Sequence, residues 1–394
     1  MSRKYSEEDF IRIAKRENNN KRSFLILNPL QGKHLPVRPK KAMEAFDALG
    51  QYIFKEVLKG EEVKNVLVIG FAETATAIGV EVSGCIEKLL NMNEDFGLHT
   101  VYYIHSTRET VKDANYLFFT EDHSHAIRQK LVVNGFEDAL KLVSHIILID
   151  DEISTGNTMK NLIGILKENY SLDDRKFIVA SLINGMSPEN AASFKEMNIP
   201  VVSIINKEND YEKLVASYKG EGEYIEKKEF TGEARYERVD GYLSTRRLVD
   251  IAEYKEGCVN LANEVMNYIH LEDGQRILVL GTEEFMYPAL YTAYAIEKCQ
   301  EYVNVSLDVK FHATTRSPIC PGNEEDYPLK KRYELVSLKE ARRKNFVYNL
   351  EKYDQCIVFT ESGLKLNKGL ESLLGALESA GNDDILVIKW KRKS

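Results

Sequence analysis

The sequence predicts an α/β protein built from two tandem parallel-sheet domains. Short apolar runs alternate with amphipathic stretches of helical period, and such alternation is typical of parallel sheets. Polar turns with glycine, threonine or acidic residues follow several of the apolar runs. In addition, four sequence blocks recur in the same order at an offset of about 210 residues, which indicates an internal duplication.

Composition sets the class of protein. A chain of 394 residues exceeds what one small core organises. We expect three parts: a first domain over 1–206, a connection over 207–240 that is rich in charge and glycine, and a second domain over 241–394. A hydrophobic content of 43% and a charged content of 29% are those of an ordinary globular protein.

Charge and cysteine content restrict the partners and the compartment. The net charge of −8 argues against a protein whose main task is binding nucleic acid. Residues 1–18 lack the apolar centre of a signal peptide, and no apolar run is long enough to span a membrane. The five cysteines are scattered without a C-x-x-C pair, as expected of reduced thiols. These features predict a cytoplasmic protein without membrane contact.

The elements of the first half follow from local periodicity. A helical pattern covers 40–58, a second helix opens within 70–77 and runs to about 90, and a third covers 135–142. Apolar runs predict strands at 24–27, 66–69, 100–104, 146–149 and 177–182.

The most informative stretch follows the predicted strand 146–149. Asp150, Asp151 and Glu152 lie at its carboxyl end, and the small turn 154–158 then leads into a helix. In parallel sheets ligands bind beyond the carboxyl ends of the strands, and a helix start favours an anion. Carboxylates suit sugar hydroxyls or a hydrated metal ion. Two alternatives are the acidic strand of a P-loop ATPase, for which no G-x-x-x-x-G-K-[ST] is present, and an ordinary helix cap.

The order of apolar strand, acid pair and Thr-Gly-Asn-Thr turn at 155–158 resembles the signature of type I phosphoribosyltransferases. Together with Gln-Gly-Lys-His-Leu-Pro at 31–36 and Thr-Arg-Ser-Pro at 315–318, the chain resembles the phosphoribosyltransferase plus TRSP-domain proteins of tellurium-resistance gene clusters. The resemblance extends over about residues 20–390. It implies two tandem type I phosphoribosyltransferase-like domains, the second degenerate.

This resemblance implies an enzyme that uses phosphoribosyl pyrophosphate (PRPP). Ribose 5-phosphate would pass to a base or base-like acceptor with release of pyrophosphate, in the biosynthesis of a nucleoside-like metabolite for stress or tellurite resistance. Mg²⁺ would accompany PRPP, without direct protein ligands. The alternatives are a non-catalytic regulator or scaffold that binds PRPP or a nucleotide, and an RNA-associated protein. A homo-oligomer, or partners from the same gene cluster, would also agree with the family.

The resemblance assigns roles to the acidic stretch. Asp150 and Asp151 would hold the ribose hydroxyls, where their charges favour positive charge on the sugar in the transition state. Glu152 would be either a third contact or a side chain facing solvent. The cradle for the 5′-phosphate would consist of Ser154, Thr155, Gly156, Asn157 and Thr158.

The leaving pyrophosphate needs a second anion site. Arg108 would pair with it, or form a surface salt bridge with Glu109 instead. His123 and His125 lie where related enzymes carry a mobile loop, and would donate to pyrophosphate or transfer a proton, unless they belong to a solvated loop. The family places its pyrophosphate loop after the strand 66–69, where a plain strand-to-helix turn is the alternative. That turn comprises Ala72, Glu73, Thr74 and Ala75.

The acceptor would be covered by the N-terminal segment 28–39, because this family places its hood there. Gln31, Lys33 and His34 are the candidate contacts, and Lys33 and His34 would alternatively serve pyrophosphate or a carboxylated acceptor. Alternatively, the segment 28–39 is a structural loop braced by its prolines.

The second half departs from the signature where chemistry is expected. The acid pair becomes Thr360-Glu361, and the phosphate turn becomes the leucine- and lysine-containing run 362–367. We therefore expect this half to keep the architecture and to lack the substrate chemistry. The basic run 389–393 is expected to be a solvated tail.

Overall fold

The computed structural model describes residues 5–17, 22–92, 98–119, 129–361 and 367–392. It confirms an α/β protein with parallel sheets. The helices are α1 Glu7–Phe10, α2 Pro39–Ile53 (followed by a π-helical turn Phe54–Leu58), α3 Thr76–Asn91, α4 Phe136–Leu142, α5 Asn157–Asn169, α6 Pro188–Glu196, α7 Glu212–Ala216, α8 Ile251–Met266, α9 Tyr287–Val303 and α10 Lys368–Ser379. The strands are β1 Arg12–Lys15, β2 Phe24–Leu27, β3 Val66–Gly70, β4 Val101–His105, β5 Tyr116–Phe119, β6 Gln129–Val132, β7 His145–Ile153, β8 Lys176–Asn184, β9 Val201–Asn206, β10 Glu223–Ile225, β11 Arg235–Asp240, β12 Val249–Asp250, β13 Arg276–Gly281, β14 Asp308–Ala313, β15 Lys331–Val336, β16 Lys344–Tyr348, β17 Gln355–Thr360 and β18 Ile385–Lys391.

The described residues form two compact units whose boundaries differ from those expected from the sequence. Each unit is assembled from segments that are distant along the chain. Unit 1 lies within Met1–Glu7, Glu44–Asn209 and Leu243–Glu256, and unit 2 within Glu8–Met43, Asp210–Tyr242 and Gly257–Ser394.

Unit 1 contains a six-stranded sheet in the order β12-β4-β3-β7-β8-β9. All neighbours are parallel except β12, which runs antiparallel to β4. The chain passes from β3 to β4 on one side and then returns to β7 on the other. In such a sheet the crevice beyond the carboxyl ends of the two diverging strands is the expected ligand site. For unit 1 that crevice lies between β3 and β7.

Unit 2 contains a five-stranded parallel sheet in the order β11-β18-β17-β13-β14. Its core includes apolar residues of β13, β17 and α10. The central order β18-β17-β13-β14 parallels β8-β7-β3-β4 of unit 1, strand for strand. A second, three-stranded sheet consists of β10, β15 and β16.

Local periodicity predicted the central strands correctly, and it failed at two polar segments. The expected connection 207–240 contains β10 and β11, and β11 forms the edge of the sheet of unit 2. Its charged side chains are mostly exposed, which is why the segment has few aliphatics. The expected tail 389–393 begins inside β18, where Trp390 is 1% exposed. Among the described residues, no helix is long and apolar enough to cross a membrane.

Candidate active site

The crevice of unit 1 opens where β3 and β7 separate. The two strands are paired as far as Gly70 and Ile149, and the Phe71 amide then donates to the Ile149 carbonyl at 2.9 Å. Beyond this point β7 continues to Ile153 paired with β8 alone. The side of β7 that faces away from β8 is thus released from the ladder, and the turn 71–75 lies next to it.

The acidic residues belong to β7 itself, which runs four residues further than predicted. Asp150, Asp151 and Glu152 are all half-buried. The Asp151 amide donates to Asp150 Oδ1 at 2.9 Å, and Asn209 Nδ2 donates to Glu152 Oε1 at 2.6 Å. Glu152 is therefore bound by Asn209 within unit 1. The sequence had offered either a third contact to the ligand or a side chain facing solvent.

One hydrogen bond joins the acid pair to the predicted pyrophosphate loop. Thr74 Oγ1 donates to Asp151 Oδ1 at 2.7 Å. The two residues are 77 positions apart in sequence, so the contact depends on the pairing of β3 with β7. It brings two of the predicted groups of site residues to the same edge of the sheet.

The turn between β7 and α5 has the geometry of an anion cradle. Gly156 has φ of +75°, a backbone conformation that side chains rarely adopt, and a Cβ at this position would overlap the Phe194 ring. α5 begins at Asn157, and the first amides of a helix have no carbonyl partner within it. They favour an anion, and Ser154, Thr155 and Thr158 are half-buried hydroxyls beside them.

The turn 71–75 is held in place by two buried polar residues that sequence reasoning missed. The Ala72 amide donates to Ser106 Oγ at 2.9 Å, Ser106 donates to Gln129 Oε1, and Gln129 Nε2 donates to the Ala72 carbonyl at 2.9 Å. Ser106 is 0% and Gln129 1% exposed. The Ala72–Glu73 peptide bond is cis. Ser106 directly follows β4, and this position at the end of a strand could have identified it from the sequence. No pattern of neighbouring residues would have identified Gln129.

The remaining predicted pyrophosphate contacts are only partly described. Arg108 lies just beyond β4 and is half-buried, while Glu109 is 7% exposed and its amide donates to Thr107 Oγ1. His123 and His125 lie outside the described residues. Their roles stay predictions.

The structure places the predicted acceptor hood in unit 2. Gln31, Lys33 and His34 are 1%, 0% and 2% exposed, and Lys33 Nζ donates to the Glu283 carbonyl at 2.7 Å. Burial, with the charge of Lys33 as a smaller cause, lowers the pKa of His34 to about 3, so its imidazole is neutral. These properties are those of packed residues, and the hood role stays a prediction.

The charges of the crevice suit a ligand that has hydroxyl groups in one part and an anionic group in another. Carboxylates line β7, while the start of α5 presents amides and the positive end of its dipole. Within the described ranges, no group of three or more His, Cys, Asp or Glu side chains is arranged to hold a metal ion.

Comparison with known proteins agrees with this geometry. Residues 10–207 match the family described as phosphoribosyl transferase, and residues 250–377 match the TRSP domain that lies C-terminal to it. The chain belongs to this phosphoribosyl transferase family. Both parts of the resemblance noted in the sequence are thereby confirmed.

Individual relatives are distant or cover part of the chain. A hypoxanthine/guanine phosphoribosyltransferase of Methanohalobium evestigatum is 36% identical over 76 residues, which is 19% of this chain and 35% of that protein. The adenine phosphoribosyltransferase of Rhodothermus marinus is 14% identical, with 50% of this chain and 95% of that chain covered and a TM-score of 0.31. The enzyme of Giardia lamblia, complexed with 9-deazaadenine, is 11% identical, with 50% and 94% covered and a TM-score of 0.33.

Proposed function

We propose that the chain is a PRPP-dependent phosphoribosyltransferase that transfers ribose 5-phosphate to a base or base-like acceptor and releases pyrophosphate. The observation that carries the proposal is the Thr74–Asp151 hydrogen bond, because it joins an acid pair and an ordered turn in one crevice. Sequence membership of the family supports the same chemistry.

The acid pair supplies the part of the site that faces the sugar. Asp150 and Asp151 accept hydrogen bonds from the ribose hydroxyls and orient the ring. Displacement of pyrophosphate gives the sugar the character of an oxocarbenium ion, as in glycoside hydrolysis. Half-buried carboxylates stabilise that positive charge more than they stabilise neutral ribose.

Two anion sites flank the acids. The amides at the start of α5, with the hydroxyls of the turn 154–158, receive the 5′-phosphate. The turn 71–75, clamped by Ser106 and Gln129, receives the leaving pyrophosphate through its backbone, and Arg108 follows the adjacent strand. Mg²⁺ would enter with PRPP, without direct protein ligands, and would supply positive charge at the pyrophosphate. The half-buried carboxylates of Asp150 and Asp151 lie in the same crevice.

The acceptor and the pathway belong to the same proposal. The names of the relatives make hypoxanthine, guanine and adenine the first acceptors to test. A product of the nucleoside-like class, made for stress or tellurite resistance, is part of the proposal and rests on the resemblance to proteins of tellurium-resistance gene clusters. We also propose that the protein is cytoplasmic. Its partners would be proteins from the same gene cluster or a second copy of the chain.

Pyrophosphate release tests the function. The full-length chain would be incubated with PRPP, Mg²⁺ and a panel of purine and pyrimidine bases, and compared with the double variant D150N/D151N. We expect the variant to lose pyrophosphate release by about 100-fold or more. D173N/D174N is the matched control, because it also neutralises two consecutive aspartates, which in this case are exposed on the surface of the same unit.

The alternative function has its own outcome. A wild-type chain that binds PRPP but releases no pyrophosphate with any acceptor of the panel would be a regulator or scaffold. No binding of PRPP by wild type would contradict the enzyme, and no binding of PRPP or of any nucleotide would contradict the regulator as well.

A further inference from the structure

The turn that follows the central strand is held in the same way in both units. In unit 2 the turn 282–286 connects β13 to α9, as 71–75 connects β3 to α3. The Glu283 amide donates to Thr314 Oγ1 at 2.9 Å, and Thr314 comes directly after β14. In unit 1 the Ala72 amide donates to Ser106 Oγ over the same distance, and Ser106 directly follows β4.

The equivalence extends to the carbonyl of the turn. Lys33 Nζ donates to the Glu283 carbonyl at 2.7 Å, as Gln129 Nε2 does to the Ala72 carbonyl at 2.9 Å. Asn345 Nδ2 approaches Thr314 Oγ1 at 3.3 Å, in the place where Gln129 meets Ser106. Glu283 therefore corresponds to Ala72, with a long acidic side chain where unit 1 has a methyl group.

The Glu283 carboxylate is surrounded by donors. Oε1 accepts from Ser337 Oγ at 2.7 Å and from the Leu338 amide at 2.9 Å, with Asn345 Nδ2 at 3.4 Å. Oε2 accepts from Arg343 Nη2 at 2.8 Å. The Glu283 side chain is 3% exposed. A backbone amide, a hydroxyl and a guanidinium around one buried negative charge form a built anion site.

The neighbouring acid of unit 2 is also neutralised internally. Glu361, which follows β17 where unit 1 has its acid pair, is 5% exposed and pairs with Lys339 Nζ at 3.0 Å. Tyr242 donates its hydroxyl to the same carboxylate. Lys339 and Arg343 both belong to the connection between β15 and β16, so this connection is fastened to the carboxyl edge of the sheet at two points.

We propose that Glu283 is a tethered anion that occupies, in unit 2, the position which pyrophosphate takes beside the turn 71–75 of unit 1. The proposal rests on the assignment of that turn as the pyrophosphate loop and on the duplication of the fold. The donors that would hold a phosphate group are already satisfied by the chain itself. Unit 2 is therefore a closed copy of the site, and each chain binds a single PRPP.

Removal of the tethered carboxylate should leave a vacancy that a free anion fills. We expect Glu283→Ala to lower the melting temperature of the full-length chain by roughly 10 °C, because a buried ion pair loses one partner. Sodium acetate should restore part of that loss in a saturable manner, relative to sodium chloride at equal ionic strength. Wild type should show no difference between the two salts.

Arg343→Ala is the matched control, since it breaks the same ion pair without creating room for an anion. It should be destabilised and should not respond to acetate. An E283A chain that responds to acetate no more than R343A does would overturn the proposal.

The number of PRPP sites per chain provides a test that does not require a variant of Glu283. Isothermal titration of wild type with PRPP and Mg²⁺ should give one site per chain, and D150N/D151N should weaken that site. Two sites per chain would overturn the closure of unit 2. If no PRPP binds, the proposed function fails, while the acetate response of E283A still decides whether Glu283 fills an anion site.

Discussion

Thr74 donates through Oγ1 to Oδ1 of Asp151 at 2.7 Å, across the point where β3 and β7 diverge. The bond leaves one carboxylate oxygen of Asp151 fixed in direction, and it ties the turn 71–75 to the acidic end of β7. A substitution of Thr74 should therefore alter the position of the Asp151 carboxylate, and the first prediction tests this.

Replacement of Thr74 by valine keeps the shape of the side chain and removes the donor. We expect pyrophosphate release to fall by about 10-fold to 100-fold, because a hydrogen bond to a charged group contributes roughly 1.5–3 kcal/mol. Thr74→Ser retains the hydroxyl and should stay within a few-fold of wild type. Steady-state rates at saturating PRPP measure the effect, and equal rates for T74V and wild type would show that the bond has no part in catalysis.

Gly156 lies in the turn 154–158, for which we propose a role in binding the 5′-phosphate, and it packs closely against the Phe194 ring. Gly156→Ala would force a side chain into φ of +75° and against the Phe194 ring, so we expect a loss of about 2 kcal/mol or more in the free energy of unfolding. The KM for PRPP should rise as well, since the turn must shift. Chemical denaturation and initial rates measure the two effects.

Gly164 offers the control within the same helix. A Cβ there meets nothing within 4 Å. Gly164→Ala should leave KM unchanged and stabilise the chain by about 0.5 kcal/mol, because glycine is a poor residue in a helix interior. Similar losses in both variants would mean that the effect at Gly156 comes from helix propensity rather than from the turn.

Local patterns predicted the acidic strand, the small turn and the helix after it, because each depends on residues close together in sequence. The end of the strand was placed too early. Polar residues usually mark a strand end, but Asp150 and Glu152 remain paired with β8 after the partner on the other side has turned away. Only the sheet order, with β7 between β3 and β8, accounts for the extra length.

Long-range packing was beyond sequence reasoning. Gln129 meets Ser106 across 23 positions and Ala72 across 57, and no periodic pattern records such a contact. Likewise β12 pairs with β4 although nearly 150 residues separate them, so the contribution of 243–256 to unit 1 was hidden. The edge strand β11 is mostly exposed and therefore rich in charged residues, so its composition resembled that of an inter-domain connection.

A double-mutant cycle can test the hydrogen bonds that hold the turn 71–75, for which we propose a role in binding pyrophosphate. Gln129→Leu and Ser106→Ala each break the closed set of hydrogen bonds around Ala72, so we expect each to raise the KM for pyrophosphate in the reverse reaction by about 10-fold. The double variant should be little worse than either single one, since the three groups act as a unit. Fully additive effects would show that Ser106 and Gln129 act separately.

The buried imidazole of His34 predicts a pH-dependent loss of stability. Its pKa is lowered from 6.5 to about 3, first by burial and then by Lys33, whereas the unfolded chain protonates near 6.5. As pH falls below 6.5 the unfolded state binds a proton that the folded state does not, so the free energy of unfolding decreases by up to about 1.4 kcal/mol per pH unit. The contribution is absent above pH 6.5 and grows towards pH 3.

His34→Phe removes that proton, so the slope of unfolding free energy against pH between 6 and 5 should be shallower in the variant by nearly that amount. Urea unfolding at closely spaced pH values measures the slope. His270→Phe is the control, because the His270 side chain is 87% exposed and its loss should leave the wild-type slope intact. If H34F and wild type lose stability in parallel on acidification, His34 is protonated in the folded chain and its burial is not maintained in solution.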